Sequence, residues 1–131
     1  MRTITFRGQC IISKQLVYGD LIHGVGSKNN KTYILPNVLN LASIKHCHPL
    51  DGVEVHPETI CQFTGLTNKE GDEIYEGDKL LNPQGKVGRV EFHNGSFCLV
   101  VKETKVSITR IMLTEGFCGN KSIIGNIHDN N

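Results

Sequence analysis

The sequence lacks tryptophan, Cys-x-x-Cys pairs and any apolar run long enough to span a bilayer. Its first ten residues, MRTITFRGQC, also lack the apolar core of a signal peptide. Five cysteines without an export signal are typical of reduced thiols that serve as small buried hydrophobes. We therefore expect a cytoplasmic protein that does not enter the membrane, and these absences argue against a secreted disulfide scaffold.

The sequence also lacks an excess of either charge. Fourteen basic and thirteen acidic side chains among 131 residues leave a formal net charge of +1. A protein dedicated to binding the phosphate backbone usually has a clear basic excess, so this balance weakens a nucleic-acid hypothesis without excluding a local basic patch. Length and a hydrophobic share of 38% are typical of one soluble domain, or of two very small ones that share a core.

Helical periodicity is nearly absent, and short strand-like runs alternate with breaks at Gly, Asn or Pro. This pattern predicts a mainly β protein, with an N-terminal β segment at residues 1–57 and a small C-terminal β unit at residues 58–131, the two being short enough to form one compact unit. A polar loop is predicted at 27–31, and 39–44 fits a short helix or a strand. The predicted strands are Thr3–Phe6, Leu16–Leu21, Thr32–Leu35, Lys79–Asn82, Gly88–Phe92, Ser96–Val101, Val106–Ile108 and Ser122–Ile127.

One hairpin is specified by its turn. Asn94-Gly95 is the preferred pair for a two-residue type I′ turn, because both central residues need positive φ. The turn places Phe92 opposite Phe97, and side chains alternate between two faces from there. The face predicted to be buried carries Val90, Phe92, Phe97, Leu99 and Val101. The face predicted to be mostly solvated carries Glu91, His93, Ser96 and Cys98.

The stretch TGLTNKEGDEIYEGD, residues 64–78, is the most acidic in the chain. A calcium loop that begins at Asn68 would need Gly sixth and Glu twelfth, where Glu73 and Lys79 stand. No aromatic or His environment separates the pKa values of two carboxyl groups for glycosidase-like chemistry. We interpret the stretch as exposed turns, at 68–71 and at 77–78, anchored by the apolar pair at 74–75. Its acids are Glu70, Asp72, Glu73, Glu76 and Asp78.

Metal and thiol chemistry have weaker candidates. His46, Cys47 and His48 are ligand types that zinc accepts, yet their spacing fits no common zinc pattern, and a polar connection before Pro49 is the favoured interpretation. Cys61, with His56 five residues earlier, is a conceivable nucleophile, but the sequence supplies no third group. A buried thiol is the favoured interpretation of Cys61.

Five basic residues fall in the C-terminal β unit, and small β-barrels bind nucleic acids with one edge and its loops. They are interleaved with Glu91, Glu103 and Glu115, and such mixed charge is typical of a plain solvated face. The hairpin register also assigns the stacking candidates, Phe92 and Phe97, to the apolar face. The five are Lys86, Arg89, Lys102, Lys105 and Arg110.

The order of several motifs resembles the YopX family of small phage and prophage proteins. The resemblance covers nearly the whole chain, and VHPETICQFTGLTNKEGDEIYEGDKL, residues 55–80, is its most specific part, although Cys61 stands where a small residue is usual. The resemblance implies a mainly β fold whose C-terminal part is a small barrel of the Src-homology-3 type. It implies no established activity. The remaining motifs are ITFRG, LVYGDLIH, ILP, GRVEFHNGSF and IIGNIHDN.

We therefore expect a non-enzymatic protein without catalytic residues, cofactor or metal, which binds an unknown protein partner or associates with itself. Short edge strands that accept a partner strand favour this hypothesis. The alternatives are a small barrel that binds nucleic acid and a metal-dependent enzyme that uses residues 46–48.

Overall fold

A computed structural model describes residues 2–23, 31–36 and 52–129, and eleven strands lie within those ranges. All strand pairings recorded among them are antiparallel, which confirms the mainly β prediction. No helix in these ranges is long and apolar enough to cross a membrane. The strands are β1 (Phe6–Gln9), β2 (Leu16–His23), β3 (Thr32–Pro36), β4 (Val53–Val55), β5 (Cys61–Thr67), β6 (Glu73–Tyr75), β7 (Asp78–Leu81), β8 (Val87–His93), β9 (Ser96–Lys102), β10 (Ile108–Met112) and β11 (Ser122–Asn126).

The chain divides into two units, Met1–Gln62 and Phe63–Asn131. In the first unit the strand order is β4-β3-β2-β1, and β1 also pairs with the first residues of β5. The tight β2–β3 pairing needs Gly19, because a Cβ there would lie 1.9 Å from the Leu35 carbonyl oxygen. The buried residues of this core are Cys10, Val17, Ile34, Val53 and Val55.

In the second unit, β5 pairs with β6, and a five-stranded sheet has the order β10-β9-β8-β7-β11. Alternate residues of β7, β8 and β9 fill the core beneath this sheet. The helix α1 (Glu115–Cys118) closes one side; its Thr114 cap accepts a hydrogen bond from the Phe117 N–H at 3.2 Å. The buried residues of this core are Ile74, Leu80, Val90, Leu99, Leu113 and Cys118.

The predicted hairpin register is confirmed. β8 and β9 pair with Phe92 opposite Phe97 and Val90 opposite Leu99, and both turn residues, Asn94 and Gly95, have positive φ. Two details of the predicted faces are wrong. Phe92 is 52% exposed, because it lies at the hairpin tip beyond the core. On the opposite face, Cys98 is buried rather than solvated.

Several strand predictions were wrong in position. β1 begins where the predicted strand Thr3–Phe6 ends, and β10 begins where the predicted strand Val106–Ile108 ends. β4, β5 and β6 were not predicted, and neither was α1. The pairings among the described residues do not join β10 to β11, so the Src-homology-3-type barrel stays a prediction. The segments 27–30 and 39–44 lie outside the described residues.

Candidate functional site: an exposed edge strand beside a cavity

The strand β10 lies at one end of the five-stranded sheet, and every one of its five residues is exposed. Three of them are large hydrophobics: Ile108 is 47% exposed, Ile111 37% and Met112 63%. Among the described residues no strand pairs with the outer edge of β10. A row of backbone groups on such an edge is a template for a further strand.

The backbone of β10 alternates between its neighbour β9 and the open side. Directly before and after β10, the Glu103 N–H donates to the Ser107 carbonyl at 3.0 Å, and the Leu113 N–H donates to the Phe97 carbonyl at 3.0 Å. The register between them is regular, so odd-numbered residues bond to β9. Ile108, Arg110 and Met112 therefore direct their N–H and C=O groups outward.

The side chains of those even-numbered residues share one face of the sheet with a row of basic groups. Arg110 pairs in register with Val100, Val100 with Arg89, and Arg89 with Lys79. Among the described residues, the carboxylate within 4.0 Å of this row is that of Glu91, which lies 3.2 Å from Arg89 and 4.0 Å from both Arg110 and His93. The row therefore keeps more positive than negative charge.

The odd-numbered residues of β10 face the other way, towards a cavity of about 220 Å³. Its apolar lining includes Leu99, Val101 and Phe117, and Thr109 and Ile111 of β10 form one side. The floor is shaped by Gly88, where a Cβ would lie 2.7 Å from the Leu99 Cγ. The cavity therefore lies directly beside the open edge.

Charged groups at this cavity are engaged with one another or with the backbone. Lys86 lies 3.7 Å from Glu103. The Lys121 Nζ donates to the Phe117 carbonyl at 3.0 Å and to Asn120 Oδ1 at 2.8 Å, and it lies 4.0 Å from the centre of the Phe117 ring. What the cavity offers a ligand is chiefly its apolar lining.

The acidic stretch contains the two predicted turns, and between them Glu73–Tyr75 form β6. The Gly71 N–H donates to the Asn68 carbonyl at 3.0 Å, and both Gly71 and Gly77 have φ of +84°. Ile74 and Tyr75 are buried, as expected for an anchor. Asn68 is buried as well, and its Oδ1 accepts the N–H groups of residues 70 and 72 at 3.0 Å each, which explains why the turn needs this amide.

The interpretation of all five acids as solvated was wrong for one of them. Asp78 is only 2% exposed. Its Oδ2 accepts from the Tyr75 N–H at 2.8 Å, and its Oδ1 accepts from Asn126 Nδ2 at 2.9 Å. This carboxylate joins the start of β7 to the end of β11, and its role is structural.

The thiol and metal candidates divide into two sets. His46, Cys47 and His48 lie outside the described residues, and within the described ranges no three His, Cys, Asp or Glu side chains are grouped to hold a metal ion. Cys61 is buried, as expected, and its thiol donates to the Thr59 carbonyl at 3.4 Å. His56 Nδ1 lies 3.7 Å from Glu58 Oε1, at a more exposed position.

Two other buried thiols differ in acidity. Burial raises the pKa of Cys118, and the nearby Lys121 charge lowers it by a smaller amount, so the net shift is upward. Burial also raises the pKa of Cys10, but hydrogen bonds from the Ser13 side chain and from backbone groups of residues 12–14 outweigh it, so the net shift is downward. Cys118 is completely enclosed and acts as a small hydrophobe of the core.

The structure brings together only part of the predicted basic set. Arg89 and Arg110 lie on the same face of the sheet, one on each side of Val100, whereas Lys86 pairs with Glu103 beside the cavity. The basic neighbour that the sequence did not indicate is Lys79, which the β7–β8 register places beside Arg89. Phe92, which the sequence assigned to the buried face, is available at the surface.

Comparison with known proteins gives similar solved structures and one family. The crystal structure of protein EF1440 from Enterococcus faecalis is 22% identical, with a TM-score of 0.44 over 99% of this chain and 96% of that one. No curated protein matches the chain. The family model described as YopX protein matches residues 6–131, nearly the whole chain. The chain therefore belongs to the YopX family.

Proposed function

We propose that this chain is a non-enzymatic phage or prophage accessory protein that acts in the cytoplasm by binding a protein strand along β10. The observation that carries the proposal is the open edge of β10, whose five residues are all exposed and whose even-numbered residues direct their backbone groups outward. An added strand would satisfy those groups and cover Ile108 and Met112. The strand comes from another protein or from a second copy of this chain.

Strand addition also agrees with the energetics of the site. Backbone hydrogen bonds supply affinity in this mode, and side-chain pockets supply specificity. β10 offers both, because the cavity beside Ile111 lies at the same edge. Exposed apolar side chains on an edge strand are otherwise a liability for aggregation, which favours a partner that covers them.

A selection from a displayed library of random nine-residue peptides tests this function. Selected peptides are expected to slow the exchange of the amide protons of Ile108, Arg110 and Met112, measured by NMR. They are expected to lose binding to the variant Met112→Pro, which removes an outward N–H. Peptides that bind elsewhere and leave these three amides unprotected would contradict the proposal.

A second candidate function is nucleic-acid binding by the C-terminal unit as a small barrel of the Src-homology-3 type. The observations that favour it are the in-register row of Lys79, Arg89 and Arg110 and the exposed Phe92, which is available for stacking. This function requires steeply salt-dependent retention on DNA or RNA, weakened by changing Lys79, Arg89 and Arg110 to Ala. Absence of binding at low salt would rule it out, and Met112→Pro is expected to leave it intact.

A further inference from the structure

We infer that the strand that β10 accepts is an extended segment of a different protein, with an acidic residue opposite Arg110 and large apolar residues on both sides of it. This inference rests on the proposed function. The two faces of β10 determine which side chains suit the partner strand.

The backbone fixes which partner residue meets which side chain. A strand added at the outer edge of β10 makes its hydrogen-bonded pairs with the even-numbered residues, and paired side chains share a face. The partner residue opposite Arg110 therefore lies on the basic face. The residues before and after it point to the other face, opposite Thr109 and Ile111, where the cavity lies.

The positive charge of the basic row favours an acidic residue at the centre of the partner strand. Glu91 serves two arginines and one histidine, and it is closer to Arg89, at 3.2 Å, than to Arg110, at 4.0 Å. Residues 79–115 around this site contain six basic and three acidic side chains. A carboxylate opposite Arg110 would complete the pairing, whereas a lysine there would meet a like charge.

The volume of the cavity favours large apolar side chains on both sides of that acidic residue. A cavity of about 150 Å³ accommodates a benzene ring, and the one beside Ile111 measures about 220 Å³. Thr109 and Ile111 form its side nearest the partner. A phenylalanine or a branched aliphatic side chain opposite these residues therefore fits better than a small one.

The same geometry disfavours a second copy of this chain as the occupant. In a symmetric antiparallel pair of β10 strands, the register that pairs all five residues is centred on Arg110. That register places Arg110 directly opposite Arg110 of the other copy, which is destabilising. Shifted symmetric registers pair fewer residues of the strand and cover less of its apolar surface.

The test uses the full chain and the peptide fluoresceinyl-Ser-Ile-Phe-Glu-Phe-Ile-Ser-amide, whose palindromic order presents the same side chains to β10 in either strand direction. Fluorescence polarisation gives the affinity, and NMR exchange reports on the amides of Ile108, Arg110 and Met112. Lysine in place of the central Glu is expected to weaken binding about tenfold, and alanine in place of both Phe residues by at least about tenfold.

Protein variants complete the test. Arg110→Glu is expected to reverse the preference, so that the lysine peptide binds better than the glutamate peptide. Arg2→Glu makes the same change of net charge in the N-terminal unit and should leave the preference unchanged. Circular dichroism and urea unfolding check that both variants are folded before their affinities are compared.

Each outcome has a distinct meaning. Binding that protects the three amides but is indifferent to Glu or Lys would overturn the partner chemistry and leave the proposed function standing. No binding by either peptide, while library peptides still bind the edge, would do the same. Protection of the amides that rises with protein concentration alone, together with dimers in light scattering, would overturn the inference in favour of a second copy. Amides that no peptide protects would contradict the proposed function itself.

Discussion

β10 and β11 lie at the two ends of the same five-stranded sheet. Within the described residues, they differ in the regularity of the strand and in the hydrogen bonds that hold it. The end of β11 is held by side chains: the Asn126 N–H donates to Asp129 Oδ2 at 2.7 Å, and Asn126 Nδ2 donates to Asp78 Oδ1 at 2.9 Å. A bulge between Ile123 and Gly125 also interrupts that strand. β10 has a regular register instead, and all five of its residues are exposed.

This difference separates stability from recognition within one sheet. Bulges and local hydrogen bonds are ways in which proteins prevent further strand pairing at an edge. β11 has both, and a buried carboxylate joins it to β7. Substitutions near β11 should therefore lower the free energy of unfolding, whereas substitutions on the outward side of β10 should lower binding and leave stability nearly unchanged.

The largest expected effect is that of Gly77→Val, in the turn that contacts the end of β11. A Cβ at residue 77 would lie 3.1 Å from both Asn126 Nδ2 and Ile127 Cγ1, in addition to the strain of φ at +84°. We expect a loss of about 3 kcal/mol of unfolding free energy, measured by urea denaturation. Gly71→Val is the matched control, because it has the same φ and nothing within 4 Å of its Cβ, so only the smaller strain cost applies. Normal stability of Gly77→Val would contradict the structural role of this turn.

A smaller loss is expected for Asn126→Ala, which removes a donor from the buried Asp78 carboxylate. Hydrogen bonds to charged groups have a larger effect on stability than neutral ones, so we expect a loss of about 2 kcal/mol. Gln84→Ala, at an exposed turn, is the control and should be neutral. Equal stabilities of the two variants would show that β11 is not fixed by this contact.

Two neighbouring residues of β10, Ile111 and Met112, test the difference between inward and outward backbone groups most directly. Ile111→Pro removes an N–H that points to β9, and we expect it to cost about 2 kcal/mol, while Met112→Pro removes an outward N–H and should change stability by less than about 1 kcal/mol. Thermal and urea unfolding of the two neighbours measure this difference. Equal losses of unfolding free energy would show that the outward N–H of Met112 also contributes to the stability of the fold.

The features that the sequence predicted best are those determined by residues close together in the chain. The β8–β9 register followed from Asn94-Gly95, because a two-residue turn fixes every pair beyond it. β10 was misplaced because both of its faces are exposed, so its side chains do not alternate between apolar and polar. The bend in β5, whose pairing with β6 shifts register between Phe63 and Thr67, likewise concealed that strand.

The candidate site was less predictable than the fold. An edge strand was expected to bind a partner. Which strand lies at the edge depends on the order of strands in the sheet, and no short motif specifies that order. The burial of Asp78 was missed because its partner, Asn126, lies 48 residues away. The exposure of Phe92 was missed because register assigns a side chain to a face but does not say where along the strand the core ends.

The contact between Asp78 and Asn126 also has a consequence for the order of folding. β7, β8, β9 and β10 pair as successive neighbours, whereas β11 must return to β7 across the whole meander. Local pairings close smaller loops and form sooner, so we expect β11 to join last, when the folding barrier has been crossed. The Asp78 carboxylate would stay hydrated until that final step. Loss of Asn126 should then accelerate unfolding and leave the rate of folding almost unchanged.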